Sequence, residues 1–276
     1  MRRFSADYLE RTREGMWADG RAALADLDLA DRRRVLDVGC GTGELTRVLA
    51  AEAPADATVM GVDADTDLLE AARAADPEGE SDSIPYLAGD AARLPFPDDA
   101  FDLVVCQALL INLPEPRAAV REFARVSSEL VAAVEPNNAE VGVSSTVDAE
   151  ERLEREAREA YLAGVDTDVA LGDRVRRQFA AAGLEDVSVR RYHHEKRVEP
   201  PYSPVAMEAA ARKASGAGLA DHRRELEASL STEEYADLRR RWRAMGRDVV
   251  GEMQAGEYER VEVVPFDVTV GRVPER

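Results

Sequence analysis

The chain has 276 residues, and its 55 acidic residues outnumber its 36 basic ones to give a formal net charge of −19. That length suits one elaborated α/β domain with a sizeable core. No apolar run approaches the length of a membrane span, and the first residues lack the apolar stretch of a signal peptide. These features predict a soluble cytoplasmic protein with no membrane partner.

The basic residues have an unusual composition. Lys196 and Lys213 are the only lysines, so the other 34 of the 36 basic residues are arginines. An acidic, lysine-poor surface keeps a protein soluble in concentrated salt, and we interpret it as a sign of a salt-adapted, halophilic source. The sequence has no basic patch interleaved with aromatic residues, which disfavours a nucleic-acid partner.

The first predicted element is a helix or a pair of helices over residues 5–27, with Gly15 and Gly20 as weak points. Next, a short apolar strand over residues 35–38 leads into a turn with glycines at alternating positions, and a helix over residues 44–52 follows. The three glycines of the turn are Gly39, Gly41 and Gly43. Such a turn lets a ligand lie against bare main chain at a helix N-terminus, which predicts a nucleotide-like ligand.

The sixth position of this turn argues against a dinucleotide. A dinucleotide-binding loop has a third glycine there, whereas this chain has Glu44. A carboxylate at that position would repel a pyrophosphate. The sequence therefore disfavours NAD and FAD as ligands.

Acidic residues end the next two predicted strands. Asp63 ends a strand over residues 58–63, about twenty residues beyond the glycines, where nucleotide-binding folds hold ribose hydroxyls. A carboxylate accepts charge-assisted hydrogen bonds from two neighbouring hydroxyls. Asp90 follows the third strand, and a fourth strand over residues 101–106 leads into a turn that reaches Pro116.

These four motifs, over residues 34–137, resemble the class I S-adenosylmethionine (SAM)-dependent methyltransferases, and in particular the type 11 group that includes ubiquinone and menaquinone methyltransferases. The resemblance implies that Asp63 binds the ribose and that Asp90 receives the adenine amino group, with the next backbone N–H donating to a ring nitrogen. Tyr8 or Trp17 either packs in the core or closes over the sulfonium by a cation–π contact. The expected cofactor contacts are Asp37, Gly39, Cys40, Gly41, Gly43, Asp63, Ala64, Asp90, Ala91, Cys106, Tyr8 and Trp17.

Simpler roles remain open for three of these acids. Asp63 is a possible helix cap, although Asp65 nearby also has the side chain of a cap residue. Asp90 is a possible turn-closing residue. Asp37 would bind either the ammonium group of the ligand or the N–H groups of the glycine turn.

Beyond the fourth strand, alternating strands and helices predict a doubly wound parallel sheet. The fifth strand is predicted at residues 130–135, and residues 126–129 replace the Pro-Gly-Gly turn that is usual in the family. A helix over residues 172–182 and a sixth strand over residues 186–192 follow. Residues 258–270 alternate like an edge strand. The resemblance implies a seven-stranded, mostly parallel, Rossmann-like sheet whose last strand is antiparallel.

We divide the chain into an N-terminal helical cap (residues 1–33) and a SAM-binding methyltransferase domain (residues 34–276). The domain carries helical insertions at about 143–170 and 203–257. The second insertion is predicted to contain two or three helices, with a break at residues 216–218 and a capped start at residues 231–234. Ligands bind outside the carboxyl ends of the strands in open α/β sheets, so we expect the insertions to form a lid there.

The sequence offers few candidates for a general base. Gln107 and Asn112 follow the fourth strand, and Asn112 stands where related sequences tend to have His. Asn cannot accept a proton as a base. His193 and His194 end the sixth predicted strand and are either catalytic or simply polar. No cluster has metal-ligand spacing, and the two cysteines are expected to be small buried residues without a disulfide.

The resulting prediction is a SAM-dependent methyltransferase (EC 2.1.1.-) that transfers a methyl group in line to a small-molecule acceptor, with S-adenosylhomocysteine (SAH) as the product. We expect it to act as a monomer or homodimer. The alternatives are an RNA or protein methyltransferase, and a protein that binds SAM or SAH without catalysing a transfer. Fold and cofactor alone do not fix the acceptor.

Overall fold

The computed structural model describes residue 9, residues 16–76 and residues 84–275. The chain forms two compact units. The first comprises the described residues of Met1–Pro136, Leu171–Tyr192 and Phe266–Arg276, and the second comprises Asn137–Ala170 and His193–Pro265. The strands β7 (Glu185–Val198) and β8 (Arg260–Arg272) contribute residues to both units.

The first unit is built on a mostly parallel sheet. Its strands follow the order β3-β2-β1-β4-β5-β8, and β7 pairs with β8. The strands not yet defined are β1 (Arg34–Val38), β2 (Thr58–Asp63), β3 (Tyr86–Ala88), β4 (Phe101–Gln107) and β5 (Ser127–Pro136). β1 to β5 pair in parallel, whereas residues 266–272 of β8 run antiparallel to β5. The predicted fold class is confirmed.

Helices cover both faces of this sheet, which explains the long apolar runs of its central strands. All seven residues of β4 are buried. Val104 packs on one face, in a cluster with Phe123, whereas Leu103 packs on the other, in a cluster with Leu49. The helices of this unit are α1 (Met16–Asp19), α2 (Glu44–Glu52), α3 (Thr66–Ala75), α4 (Pro116–Val126) and α6 (Val175–Ala181).

The N-terminal segment departs from the predicted helix over residues 5–27. Among the described residues, Leu9 and Met16–Asp19 are α-helical, whereas Gly20–Leu27 form a 3-10 helix. Gly20, the weak point noted in the sequence, begins that 3-10 segment, as expected for a residue that disfavours the α-helix. Tyr8 and Gly15 lie outside the described residues.

The chain enters β5 without a separate turn. α4 ends at Val126 and β5 begins at Ser127, whose Oγ donates to the carbonyl oxygen of Leu130 at 2.9 Å. The Ser128 hydroxyl donates to the carbonyl oxygen of Phe101 at 3.0 Å, where the β4–β5 register shifts. Serine hydroxyls and a bulge therefore take the place of the Pro-Gly-Gly turn.

The second unit is mainly helical and has a core of its own around Leu153, Leu226 and Trp242. Gly216 and His222 separate short helices, so residues 203–257 form four helices rather than the predicted two or three. Its helices are α5 (Asp148–Gly164), α7 (Pro204–Ser215), α8 (Ala217–Asp221), α9 (Arg223–Ser229) and α10 (Thr232–Ala255). An additional strand, β6 (Gly142–Ser145), pairs antiparallel with residues 260–263 of β8.

Local signals place the ends of two of these helices correctly. Gly216 adopts the left-handed conformation that ends α7. Ser231 and Glu234 form a complete capping box at the start of α10, in which each side chain accepts from the other residue's backbone N–H. Among the described residues, no helix has both the length and the hydropathy required to cross a membrane.

The second unit also buries an ion network. Glu150 is fully buried and accepts from the Tyr258 hydroxyl at 2.9 Å and from the Lys213 ammonium. Burial alone would raise the pKa of Glu150, but the positive charge of Lys213 holds it below its usual value. One of the two lysines of the chain therefore neutralises a buried acid.

A close helix crossing in the second unit gives a first prediction. A methyl group on Gly246 of α10 would lie 2.3 Å from the backbone nitrogen of Ala214 in α7, whereas one on Gly251 of α10 would meet no atom within 4 Å. We expect Gly246→Ala to lower the free energy of unfolding by about 1–3 kcal/mol, the usual cost of overpacking. Gly251→Ala should raise it by up to about 1 kcal/mol through helix propensity.

Urea denaturation of both variants measures these changes. Equal effects of the two substitutions would show that α7 and α10 do not approach each other this closely.

Candidate functional site

The glycine turn is shaped by left-handed backbone at all three glycines. Their φ angles are 73° at Gly39, 56° at Gly41 and 76° at Gly43, which is the N-cap residue of α2. The N–H groups of Gly39 and Cys40 donate to the carbonyl oxygen of Val62 at 2.7 and 3.1 Å. Residues other than glycine rarely adopt this conformation, so the sequence spacing follows from the turn geometry.

Neighbouring side chains also press against two of these glycines. A methyl group on Gly43 would lie 2.5 Å from the hydroxyl oxygen of Tyr86, and one on Gly39 would lie 2.7 Å from Leu109 Cδ1. Tyr86 begins β3, and Leu109 follows β4. The turn is therefore packed between two segments that are distant in sequence, the start of β3 and the segment after β4.

Asp63 binds the glycine turn directly. It ends β2, is largely buried, and accepts the N–H of Gly41 on Oδ2 at 2.8 Å. Its Oδ1 accepts the N–H of Asp65 at 2.9 Å. The residue that caps α3 is Asp65, whose own carboxylate accepts from Asp67. The helix-cap alternative therefore applies to Asp65 and not to Asp63.

Asp37 lies at the end of β1 and is almost completely buried. Its Oδ2 accepts the hydroxyl of Thr46 in α2 at 2.7 Å. Asp37 pairs with Val105 across β1 and β4, so Gln107, two residues beyond Val105, lies on the same face of the sheet. Both proposed roles of Asp37, toward the ligand or toward the turn, remain predictions.

Asp90 lies just beyond β3 and is exposed. Its Oδ1 accepts the N–H of Ala92 at 2.9 Å, and its backbone oxygen accepts the N–H of Arg93 at 2.9 Å. Gly89 donates to the backbone oxygen of Asp63 at 2.9 Å, which places this turn beside the end of β2. Asp90 does close a turn, and its adenine contact remains a prediction. Of the flanking candidates, Ala91 is buried and Ala64 is exposed.

Glu135 is a buried acid near the candidate site that the sequence analysis did not single out. It is fully buried at the end of β5, and its carboxylate accepts the N–H groups of Leu109, Leu110 and Ile111 at 3.0, 2.8 and 3.3 Å. The Cys106 Sγ lies 3.8 Å from Oε1. Burial raises the pKa of Glu135 to about 7, although the backbone donors oppose the shift. The available signal was an acid at the carboxyl end of an otherwise apolar strand, as for Asp37 and Asp63.

Two buried polar atoms near the N-terminal segment have no hydrogen-bond partner among the described residues. They are Gln107 Oε1 and Trp17 Nε1. The other end of the Gln107 amide donates to Met16 Sδ at 2.9 Å, so Gln107 faces the residue next to Trp17. Asn112 donates from Nδ2 to the carbonyl oxygen of Ala108 at 2.7 Å. A buried polar atom without a partner is costly, and a bound ligand is one way to satisfy it.

The histidine candidates differ from the prediction in position. His193 and His194 lie inside β7 rather than at its end, because the alternating pattern of exposure continues to Val198. Both belong to the second unit, whereas the other described candidates belong to the first. His193 is exposed, and burial followed by the charge of Lys196 lowers the pKa of His194. Cys40 and Cys106 are buried and form no disulfide.

Comparison with known proteins identifies the segment that carries this geometry. Residues 36–129 match the family model described as a methyltransferase domain. This part of the chain is therefore similar to a methyltransferase domain. The match begins in β1 and reaches the start of β5, so it includes the glycine turn, Asp63 and Asp90.

Three curated relatives share this region. A demethylmenaquinone methyltransferase of Lactiplantibacillus plantarum is 38% identical over 37% of this chain and 44% of its own length. The uncharacterized methyltransferase YcgJ of Bacillus subtilis is 38% identical over 34% of this chain and 36% of its own length. Methyltransferase GfsG of Streptomyces halstedii is 38% identical over 36% of each chain. The alignments therefore span less than half the length of these relatives.

Solved structures extend the similarity of fold to most of the chain. A methyltransferase-like protein from Bacillus halodurans C-125 superposes with a TM-score of 0.56 at 18% identity, covering 93% of this chain and 99% of that one. The YcgJ structure from Bacillus subtilis gives a TM-score of 0.53 at 17% identity, covering 92% and 99%. At this identity the likeness concerns the fold, which is the Rossmann-like fold of methyltransferases.

The buried carboxylate of Glu135 gives a second prediction. Its pKa is about 7 in the folded protein and about 4.3 in an unfolded chain, so between these values the folded protein binds more protons. The free energy of unfolding should therefore fall as the pH rises through this window. Relative to a Glu135→Gln variant, the wild type should lose roughly 2–3 kcal/mol between about pH 5 and pH 8.

Urea denaturation of both proteins at several pH values measures this difference. A constant difference between the wild type and the variant across the range would contradict it.

Proposed function

We propose that the protein is a SAM-dependent methyltransferase that acts on a small-molecule acceptor. The observation that carries the proposal is the hydrogen bond between the Asp63 carboxylate and the N–H of Gly41, inside the matched methyltransferase domain. This bond fixes the acid beside the exposed main chain of the turn. A ribose held by the acid would then lie against the glycines.

The residues of the turn fit SAM. The Asp63 carboxylate accepts two backbone N–H groups, and a carboxylate has about four acceptor positions, so two remain for ribose hydroxyls. Glu44 begins α2, where a pyrophosphate would need a neutral or positive neighbour. SAM has no phosphate, so the Glu44 carboxylate does not repel it in this way. The free Gln107 Oε1 and Trp17 Nε1 offer an acceptor and a donor for polar groups of bound molecules.

When bound, SAM supplies a methyl group on a positively charged sulfur, which a nucleophile attacks in line. The contribution of the protein is to align the two molecules and to exclude water. Gln107 lies at the carboxyl end of β4 on the Asp37 face of the sheet, where its amide oxygen can orient a donor group. Gln107 and Asn112 are amides, so their roles are binding and orientation rather than proton transfer.

The sequence favours a small acceptor over RNA, because it has no basic patch interleaved with aromatic residues. One relative is named for demethylmenaquinone, a small molecule. We assign the choice of acceptor to the second unit, because all of its residues lie beyond residue 129, where the family match ends. The remaining alternatives are an RNA or protein methyltransferase and a non-catalytic SAM- or SAH-binding protein.

The third prediction tests the cofactor site. Asp63→Ala should weaken SAH binding by roughly 1.5–3 kcal/mol, the scale of lost hydrogen bonds to a charged group. Asp102→Ala is the matched control, because Asp102 is equally buried but accepts the N–H groups of Arg33 and Arg34 at the opposite edge of the sheet. The control should be less stable yet bind SAH as the wild type does. Isothermal titration calorimetry measures both affinities, and unchanged binding by Asp63→Ala would refute the assignment.

The fourth prediction concerns the acceptor. Methyl-labelled SAM is incubated with the protein and with a small-metabolite extract, total RNA or a protein fraction in parallel. We expect label in the small-metabolite fraction alone, and none with Gly41→Val, whose branched side chain is strained at a φ of 56°. Label in the RNA or the protein fraction would support an RNA or protein methyltransferase instead. Binding of SAH without labelling of any fraction would support the non-catalytic alternative.

A further inference from the structure

The segment that follows β4 has an unusual backbone. Ala108 adopts a φ of 47°, which is uncommon for a residue with a side chain. Its N–H donates to the carbonyl oxygen of Val134 at 2.9 Å, and a 3-10 turn over Leu110–Asn112 follows at once. Strained conformations of this kind persist only where the surrounding structure fixes them.

Glu135 holds this segment in place. Its carboxylate accepts three consecutive backbone N–H groups, those of residues 109, 110 and 111. These are the donors that a helical turn leaves without partners at its start. Among the described residues Glu135 has no cationic partner, so backbone N–H groups and the Cys106 thiol hold this buried anion.

Titratable groups face Glu135 from both strands that pair with β5. On β4, the Cys106 thiol faces it, and burial followed by the charge of Glu135 raises the pKa of that thiol. On β8, Asp267 lies directly opposite, but it is bound by Arg191 through two bonds of 2.8 Å. Asp267 therefore already has a counter-ion, and it makes no bond to the segment after β4.

The segment held by Glu135 reaches the glycine turn. Leu109, whose N–H donates to Glu135, presses its side chain against Gly39, where even a methyl group would be 2.7 Å from Cδ1. Gln107 and Asn112 flank the same segment, and Gln107 carries the free buried amide oxygen. A shift of this segment would therefore move both the turn and the polar groups beside it.

We propose that Glu135 is a positioning residue of the cofactor site, whose ionised carboxylate fixes residues 109–111 and through Leu109 holds the glycine turn in its binding shape. The role rests on the proposed function, because the turn is taken to bind SAM. Protonation of Glu135 weakens the three bonds, since a neutral carboxyl group is a poorer acceptor and its own O–H requires a partner. The cofactor affinity then decreases as Glu135 takes up a proton.

The experiment measures SAH binding by calorimetry from about pH 6 to pH 8.5, with thermal midpoints recorded for every protein. In the wild type the dissociation constant should rise about fivefold to tenfold as the pH falls through about 7, the effect of roughly one weakened hydrogen bond. Glu135→Gln should bind at all pH values as weakly as the wild type does at low pH. Asp102→Asn, which alters a buried acid at the opposite edge of the sheet, should keep the wild-type profile.

Each outcome is decisive. A flat wild-type profile together with a Glu135→Gln affinity within about twofold of wild type would overturn the positioning role and leave the proposed function intact. Failure of the wild type to bind SAH at any pH would overturn both. If Glu135→Gln does not fold, Leu109→Ala tests the same connection between Glu135 and the glycine turn. The affinity of this variant for SAH should fall several-fold at high pH, and an unchanged affinity would overturn the proposal.

Discussion

The hydrogen bond from the Gly41 N–H to the Asp63 carboxylate is the constraint on which the arrangement of the first unit depends. It joins the end of one strand to the turn after another, and it requires both a left-handed glycine and an acid at the last position of β2. Parallel pairing of β1 and β2 brings their carboxyl ends to the same edge of the sheet. The bond forms at this edge because the turn after β1 lies beside the last residue of β2.

The same principle operates at the ends of three strands. Asp37, Asp63 and Glu135 are buried acids that end β1, β2 and β5 or lie next to their last residue, and each accepts from a neighbouring segment. Asp63 accepts from backbone N–H groups, Glu135 accepts from backbone N–H groups and lies beside the Cys106 thiol, and Asp37 accepts a threonine hydroxyl. Such donors hold a negative charge without neutralising it, so the edge keeps the acceptor capacity that a ligand with hydroxyl or ammonium groups requires.

In the second unit, a buried acid is instead paired with a cation. Glu150 is paired with Lys213 and lies close to Arg260, so its charge is compensated within the unit. An acid whose charge is compensated in this way has little capacity left to bind an external ligand. Glu135 lacks such compensation, and its ionisation above about pH 7 costs stability. A cost of that kind is typical of groups retained for the geometry of a site.

The sequence by itself determined the features that depend on neighbours in the chain. The strands β1, β2 and β4 are predicted by their apolar runs, and the turn is predicted by its glycine spacing. The start of α10 and the end of α7 are predicted by their cap residues. Each of these features needs only local backbone preferences. Only the tertiary structure decided the hydrogen bonds of Glu135 to residues 109–111, the contact of Leu109 with Gly39, the pairing of β6 with β8 and the continuation of β7 to Val198. These depend on which distant segments lie side by side, and strand pairing and burial set that without leaving a local pattern.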